Sequence, residues 1–176
     1  MKRRDGLEIC YNESFTISVE KGLPMKIKEI LERGRPAVSF EVFPPKADAP
    51  FEPIQRAVAR LALQRPSFMS VTYGAAGNAQ VNTVAIASFV QSLGVSALAH
   101  LTCVTASRDR IADEVAALHA AGVENVLCLR GDAPKDGAAP SPGDFAHAVD
   151  LVRVLKPEGF CLGGACYPEY LLSLKM

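Results

Sequence analysis

The chain has 176 residues, 49% of them hydrophobic and 22% charged, with 19 Lys and Arg balanced by 19 Asp and Glu. That length buries a sizeable core without disulfides or a structural metal, and the zero net charge argues against a broad basic surface for nucleic acid or an anionic membrane. No apolar run reaches the roughly 18 residues of a membrane span, and the basic start, Met-Lys-Arg-Arg, leads into no apolar leader segment. Four of the five cysteines lie inside apolar runs, and Cys161 and Cys166 have no His or Cys pair at zinc spacing. The expectation is buried thiols, a reducing cytoplasmic setting and no metal.

Residues 1–24 are mixed and polar with no sustained period, and are expected to be an extension outside the fold. Met25 opens a short helical pattern that places Ile27, Ile30 and Leu31 on one side. From there, apolar or β-branched runs begin near Val38, Phe68, Ala97, Val126 and Cys161, at spacings of about 30, 29, 29 and 35 residues, each the length of one strand-plus-helix unit.

The intervals between these runs read as helices. Phe51, Ile54, Val58 and Leu61 step by three and four, as do Ile111, Val115, Leu118 and Ala121, and then Phe145, Ala148, Val152 and Leu155. Residues 79–93 carry Ile86, Phe89, Val90 and Leu93 in a less regular helical pattern. Repeated β-α order predicts a parallel sheet. An open doubly wound sheet and a closed (β/α)8 barrel both fit it, although the first run leads into Phe43-Pro44-Pro45-Lys46 rather than the glycine fingerprint of a dinucleotide fold.

The polar residues fall where a parallel α/β fold binds its ligands. Glu41, Thr72-Tyr73, Arg130-Gly131-Asp132 and Tyr167-Pro168-Glu169 all stand at or just after the carboxyl ends of predicted strands. His100 sits inside the apolar run 97–104, where a buried imidazole needs hydrogen-bond partners that an apolar core does not supply. A lone Glu between Phe40 and Val42, near the end of a buried strand, is placed for desolvation to raise its carboxyl pKa.

Four segments together carry a resemblance: Ser39-Phe40-Glu41-Val42-Phe43-Pro44-Pro45-Lys46, Ser70-Val71-Thr72-Tyr73-Gly74-Ala75, His100-Leu101-Thr102-Cys103 and Leu129-Arg130-Gly131-Asp132. In order and spacing the chain resembles methylenetetrahydrofolate reductase of bacterial type over residues 25–169, about four-fifths of its length. The resemblance implies a (β/α)8 flavoprotein in which FAD takes a hydride from NAD(P)H and passes it to 5,10-methylenetetrahydrofolate, giving 5-methyltetrahydrofolate, a one-carbon step toward methionine biosynthesis.

By the same resemblance Glu41 is the acid that opens the folate's imidazolidine ring. Asp132 faces the flavin and contacts folate, disfavouring an anionic reduced flavin. Arg130 and Gly131 sit against the FAD, and Thr72 lies beside the substrate or nicotinamide. Tyr73, Ala75, His100, Leu129, Ala148 and Tyr167 line the cofactor, with the two tyrosines equally readable as amphipathic packing residues. His147 stands where the family often has Tyr.

The family pattern continues past Tyr167-Pro168-Glu169, where this sequence has Leu171 in the place of a His and an apolar segment, residues 170–176. The expected architecture is therefore an incomplete (β/α)8 TIM barrel of about five parallel strands, truncated after the fifth unit, with residues 170–176 as a divergent tail. Open strand edges leave two assemblies for such a chain, a homo-oligomer or an association with full-length reductase subunits. They also leave an alternative function, a non-catalytic short form. An aldolase-like enzyme needs a Schiff-base Lys at a strand end, a place that Lys46, Lys135 and Lys156 do not occupy.

Overall fold

The computed structural model of the chain describes residues 6–12, 15–20, 23–45, 49–73, 79–132 and 144–166. Five parallel strands, β3 (Ser39–Val42), β4 (Phe68–Val71), β5 (Ala97–Thr102), β6 (Asn125–Leu129) and β7 (Cys161–Gly164), lie side by side in chain order. Three of them begin at the residues that the hydrophobic runs indicate, and the other two begin one residue away. Between them run α2 (Glu52–Ala62), α3 (Ala79–Ser92), α4 (Arg108–Ala120) and α5 (Ala148–Leu155), the last continued by a 3-10 turn over Lys156–Glu158.

Sequential order decides between the two architectures that the pattern allows. A doubly wound sheet reverses its strand order at a switch point, whereas here each crossover moves to the next strand and, with the usual right hand, all helices fall on one face. The sheet is five units of a (β/α)8 barrel, open between β3 and β7 among the described residues.

Alternation along the strands separates two faces. Val42, Val71, Ala99 and Val126 are register partners and all are buried, forming one layer of the core under the helices. Ile86 of α3, Ile111 of α4 and Leu151 and Leu155 of α5 are fully buried against this layer, each contributing about 1.5–3 kcal/mol relative to exposure. The opposite face presents the row Glu41, Ser70, Leu98, Asn125 and Cys161, and beyond it His100, Leu127 and Gly163. The first row runs obliquely: Glu41 is near the carboxyl end of β3, whereas Asn125 is the first residue of β6. This stagger is the shear of a barrel wall.

Helix starts are set by local chemistry. Ser107 Oγ accepts the Arg110 N–H at 3.2 Å, and Asp144 Oδ2 accepts the Arg108 N–H at 2.8 Å, satisfying two free donors of α4. At α5, Asp150 Oδ2 accepts from the His147 and Ala146 N–H groups at 3.0 and 3.2 Å, and the Asp150 N–H donates to the His147 carbonyl at 2.9 Å.

Near the start of the chain, β1 (Gly6–Asn12) and β2 (Phe15–Glu20) form an antiparallel pair that makes no ladder with the five-stranded sheet, although the sequence there shows no sustained period. The helical pattern after Met25 is only α1 (Ile27–Leu31), a helix with no buried residue; Leu31 is 57% exposed. Backbone groups rather than an apolar stripe hold this segment. The Met25 N–H donates to Ser96 Oγ at 2.8 Å and the Ile27 N–H to Asn125 Oδ1 at 2.8 Å. Asn125 Nδ2 returns bonds of 3.1 Å to the Met25 and Ala97 carbonyls. At 1% exposure Asn125 has every polar atom paired, and it fixes α1 across the amino end of the barrel wall.

Candidate active site

The carboxyl end of the sheet gathers polar groups on the face that the helices leave free. Glu41, two residues into β3, extends into the open side with 48% of its side chain exposed. The Ser70 hydroxyl, one strand over at the same register level, donates to Glu41 Oε2 at 3.2 Å. His100 Nε2 of β5 lies 3.7 Å from the same oxygen, short of a hydrogen bond, which needs about 2.7–3.2 Å. His100 is 8% exposed, and its Nε2 makes no hydrogen bond among the described residues. Burial holds its imidazole below the ordinary acidity range, and the Glu41 charge opposes that shift.

Thr72 follows β4 and keeps strand geometry, its N–H donating to the Val42 carbonyl at 2.9 Å. By alternation it lies on the same face as Ser70. Its own carbonyl accepts from Thr83 Oγ1 at 3.1 Å, which ties the end of β4 to α3.

On β6, Leu129 is the last strand residue and pairs in register with Thr102. The Arg130 carbonyl then accepts from the Cys103 and Val104 N–H groups at 3.2 and 2.8 Å, locking the ends of β5 and β6 together. Gly131 follows at φ +84°, and a Cβ there would stand 3.0 Å from Thr102 Cβ, so both conformation and space require glycine. The turn leaves Arg130 and Asp132 exposed, and Asp132 makes no hydrogen bond or ion pair among the described residues.

Tyr73 is placed differently. Alternation carries its side chain toward the helix face, where its hydroxyl donates to Glu114 Oε1 at 2.6 Å and accepts from Arg110 Nη2 at 2.8 Å. Arg110 Nε also reaches Glu114 Oε1 at 3.3 Å. Burial, reinforced by Glu114, pushes the phenol up to about 12, and burial also raises the Glu114 carboxyl. The structure therefore ties the Tyr73 hydroxyl to α4 and does not bring it to Glu41 and His100. Ala148 opens α5, partly buried. Ala75 and Tyr167 lie outside the described residues.

Ser70, which bonds Glu41, and Arg110 and Glu114, which hold Tyr73, are contacts that the sequence does not single out. Ser70 carries a usable signal, being a polar residue at the inward parity of an otherwise apolar strand. Arg110 and Glu114 show only as an i, i+4 pair, indistinguishable in sequence from a solvated one.

By strand alternation Leu98, Leu127 and Leu129, all half-buried, share the face of the sheet that carries His100. No helix of the described residues is long and apolar enough to cross a membrane.

Comparison with known proteins agrees with this arrangement. The family profile described as methylenetetrahydrofolate reductase matches residues 26–175. A 5,10-methylenetetrahydrofolate reductase of Pectobacterium carotovorum subsp. carotovorum is 37% identical over 139 residues, covering 78% of this chain and 45% of that protein. One of Salmonella typhimurium is 31% identical over 157 residues, 88% of this chain and 51% of its own length. Methylenetetrahydrofolate reductase (NADH) 1 of Arabidopsis thaliana is 37% identical over 150 residues, 82% of this chain and 25% of its own. The chain thus spans about half the length of its bacterial relatives and a quarter of the plant one. Five consecutive parallel strands and the four helices between them, with Glu41 and the Arg130-Gly131-Asp132 turn at the carboxyl ends, belong to a member of the methylenetetrahydrofolate reductase family.

Proposed function

We propose that this chain carries the folate-reducing wall of a methylenetetrahydrofolate reductase, acting in the cytoplasm on 5,10-methylenetetrahydrofolate with NAD(P)H and FAD. The observation that carries the reading is the Glu41 carboxyl, held by Ser70 at the open carboxyl end of the sheet beside a buried imidazole. His100, Leu129, Arg130 and Gly131 would hold the FAD, joined by Ala148, Tyr73, Ala75 and Tyr167, with Thr72 beside the substrate or nicotinamide, as the family resemblance implies. When bound, the flavin supplies a two-electron hydride carrier between nicotinamide and folate.

The residues of the chain do the remaining work. Glu41 gives its proton to an imidazolidine nitrogen of the folate, the ring C–N bond breaks, and an electrophilic methylene-iminium remains on the other nitrogen. Asp132, an exposed carboxylate without a partner among the described residues, orients the pterin through its N–H donors and sets the local potential. The leucines of the wall exclude water from the face where the hydride moves.

Two measurements test the reading. Incubation of the purified chain with FAD, followed by gel filtration, is expected to leave a flavin band near about 450 nm on a discrete species; complete loss of flavin overturns the reading. Glu41→Gln is expected to abolish folate reduction while NAD(P)H oxidation by an artificial acceptor continues, and equal loss of both removes Glu41 from the acid role. The open strand edges favour a second reading, a short form that associates with full-length subunits or with itself. Elution with added full-length reductase, without retained flavin, favours it over catalysis.

A further inference from the structure

A cavity of about 310 Å3 lies at the end of the wall away from Glu41. It is bordered by α1 with its flanking residues and by the loops 36–37, 66–67 and 94–96, which lead into β3, β4 and β5. The volume is at the lower end of small-molecule sites, which run from about 300 to 1,000 Å3. Strands of four to six residues separate it from the carboxyl end, a distance of about 13–20 Å.

The polar lining of this cavity is cationic and hydrogen-bond donating. Gly34, at φ +65°, turns the chain between Arg33 and Arg35, and both arginines border the cavity exposed. Arg33 Nη2 reaches the Met25 Sδ at 2.7 Å, a weak acceptor that leaves the charge uncompensated. Arg35 has no ion pair or hydrogen bond among the described residues, and no Asp or Glu lines the cavity. Glu32, beside Arg33 in the chain, is 3.8 Å from Lys28 instead. Further in, the hydroxyls of buried Ser96 and half-buried Ser67 accept the Met25 and Val38 N–H groups at 2.8 and 3.3 Å and donate to no acceptor among the described residues. The remaining lining is mostly apolar: Val95 is buried, Met25 half-buried and Leu23 85% exposed.

We propose that this cavity binds a small phosphomonoester, its phosphate held by Arg33, Arg35 and the Ser67 and Ser96 hydroxyls and its apolar body lying against Leu23, Met25 and Val95. Two guanidinium groups without a counter-charge match a dianion, and two forks with two hydroxyl donors match its three terminal oxygens. A single carboxylate leaves one arginine uncompensated and has one oxygen fewer to offer. The apolar lining, with Leu23 held out in water, gains from a ligand with a hydrocarbon body. The cavity shares no residue with Glu41, His100 or the Arg130-Gly131-Asp132 turn, so its ligand is distinct from the substrate and cofactor of the proposed function.

The test is a titration of the 15N-labelled full chain with phenyl phosphate, inorganic phosphate and benzyl alcohol at constant ionic strength, followed through backbone amide shifts. Phenyl phosphate is expected to give saturable shifts at Arg35, Ala37, Ser67, Val95 and Ser96, with inorganic phosphate about tenfold weaker and benzyl alcohol inert. Arg33→Gln and Arg35→Gln are each expected to weaken phenyl phosphate about fivefold, whereas Arg60→Gln, on the exposed side of α2, leaves its affinity within about twofold. The spectra themselves report that each variant remains folded. A response that never saturates, or that survives both lining-arginine substitutions unchanged, overturns the site. Shifts confined to Thr72 and residues 130–132 place the phosphate at the carboxyl end and overturn it equally. Equal affinity for the two phosphates overturns the organic body, and an equal response to benzyl alcohol overturns the anion. Flavin retention is read separately, so either proposal can fail while the other stands.

Discussion

The two ends of one barrel wall treat buried polar groups in opposite ways. At the amino end Asn125 satisfies the backbone of Met25, Ile27 and Ala97 and has nothing left to offer. At the carboxyl end His100 has an unused nitrogen, Glu41 an exposed carboxylate and Asp132 no partner among the described residues. Saturated polar groups stabilise a fold, and unsaturated ones are available to a ligand. The difference separates an amino end whose buried amide is saturated from a carboxyl end whose polar groups remain available, which is the contrast the proposed function uses.

The largest expected effect breaks the saturated end. Asn125→Leu leaves one N–H and two carbonyls unpaired in a buried position and is expected to cost about 3 kcal/mol, read as a fall in the denaturant midpoint; a loss below about 1 kcal/mol would dissolve the contrast. Gly131→Ala forces a side chain into φ +84° and against Thr102, with an expected cost of about 1–2 kcal/mol and a weaker hold on FAD. Tyr73→Phe removes two bonds from the cluster with Arg110 and Glu114 and is expected to cost about 1 kcal/mol.

The same cluster makes a pH prediction. The Glu114 carboxyl is raised in the fold by burial, so its contribution is fully present at low pH and is lost as pH rises through the carboxyl range. Glu114→Gln should flatten that part of the stability–pH curve in denaturant titrations. The smallest effect belongs to the open end: Glu41→Gln is expected to leave stability within about 0.5 kcal/mol, since half of its side chain already faces solvent. A large loss there would mean that Glu41 serves the fold.

Much of this fold is legible in the chain because its units are local. Strands at Phe68, Ala97 and Cys161 and the stripes of α2, α4 and α5 follow from spacing over about a dozen residues. The role of Asn125 is not legible, since its partners Met25 and Ile27 are 100 and 98 residues away. The β1–β2 pair is not legible although Leu7 and Ile9, then Ile17 and Val19, alternate, because each strand is too short for the period to stand out. At the site, Glu41 and the Arg130-Gly131-Asp132 turn are visible in sequence through the family motifs. Ser70 and the direction of Tyr73 emerge only once the register fixes which side each residue faces.

The strand order of the sheet also bears on how the chain is made. Because β3 to β7 neighbour one another in space as they do in sequence, every strand that leaves the ribosome finds its hydrogen-bonding partner already synthesised just before it. Among the described strands β3 to β7, none waits for a distant partner. The wall can be laid down course by course during translation, with β7 the growing edge.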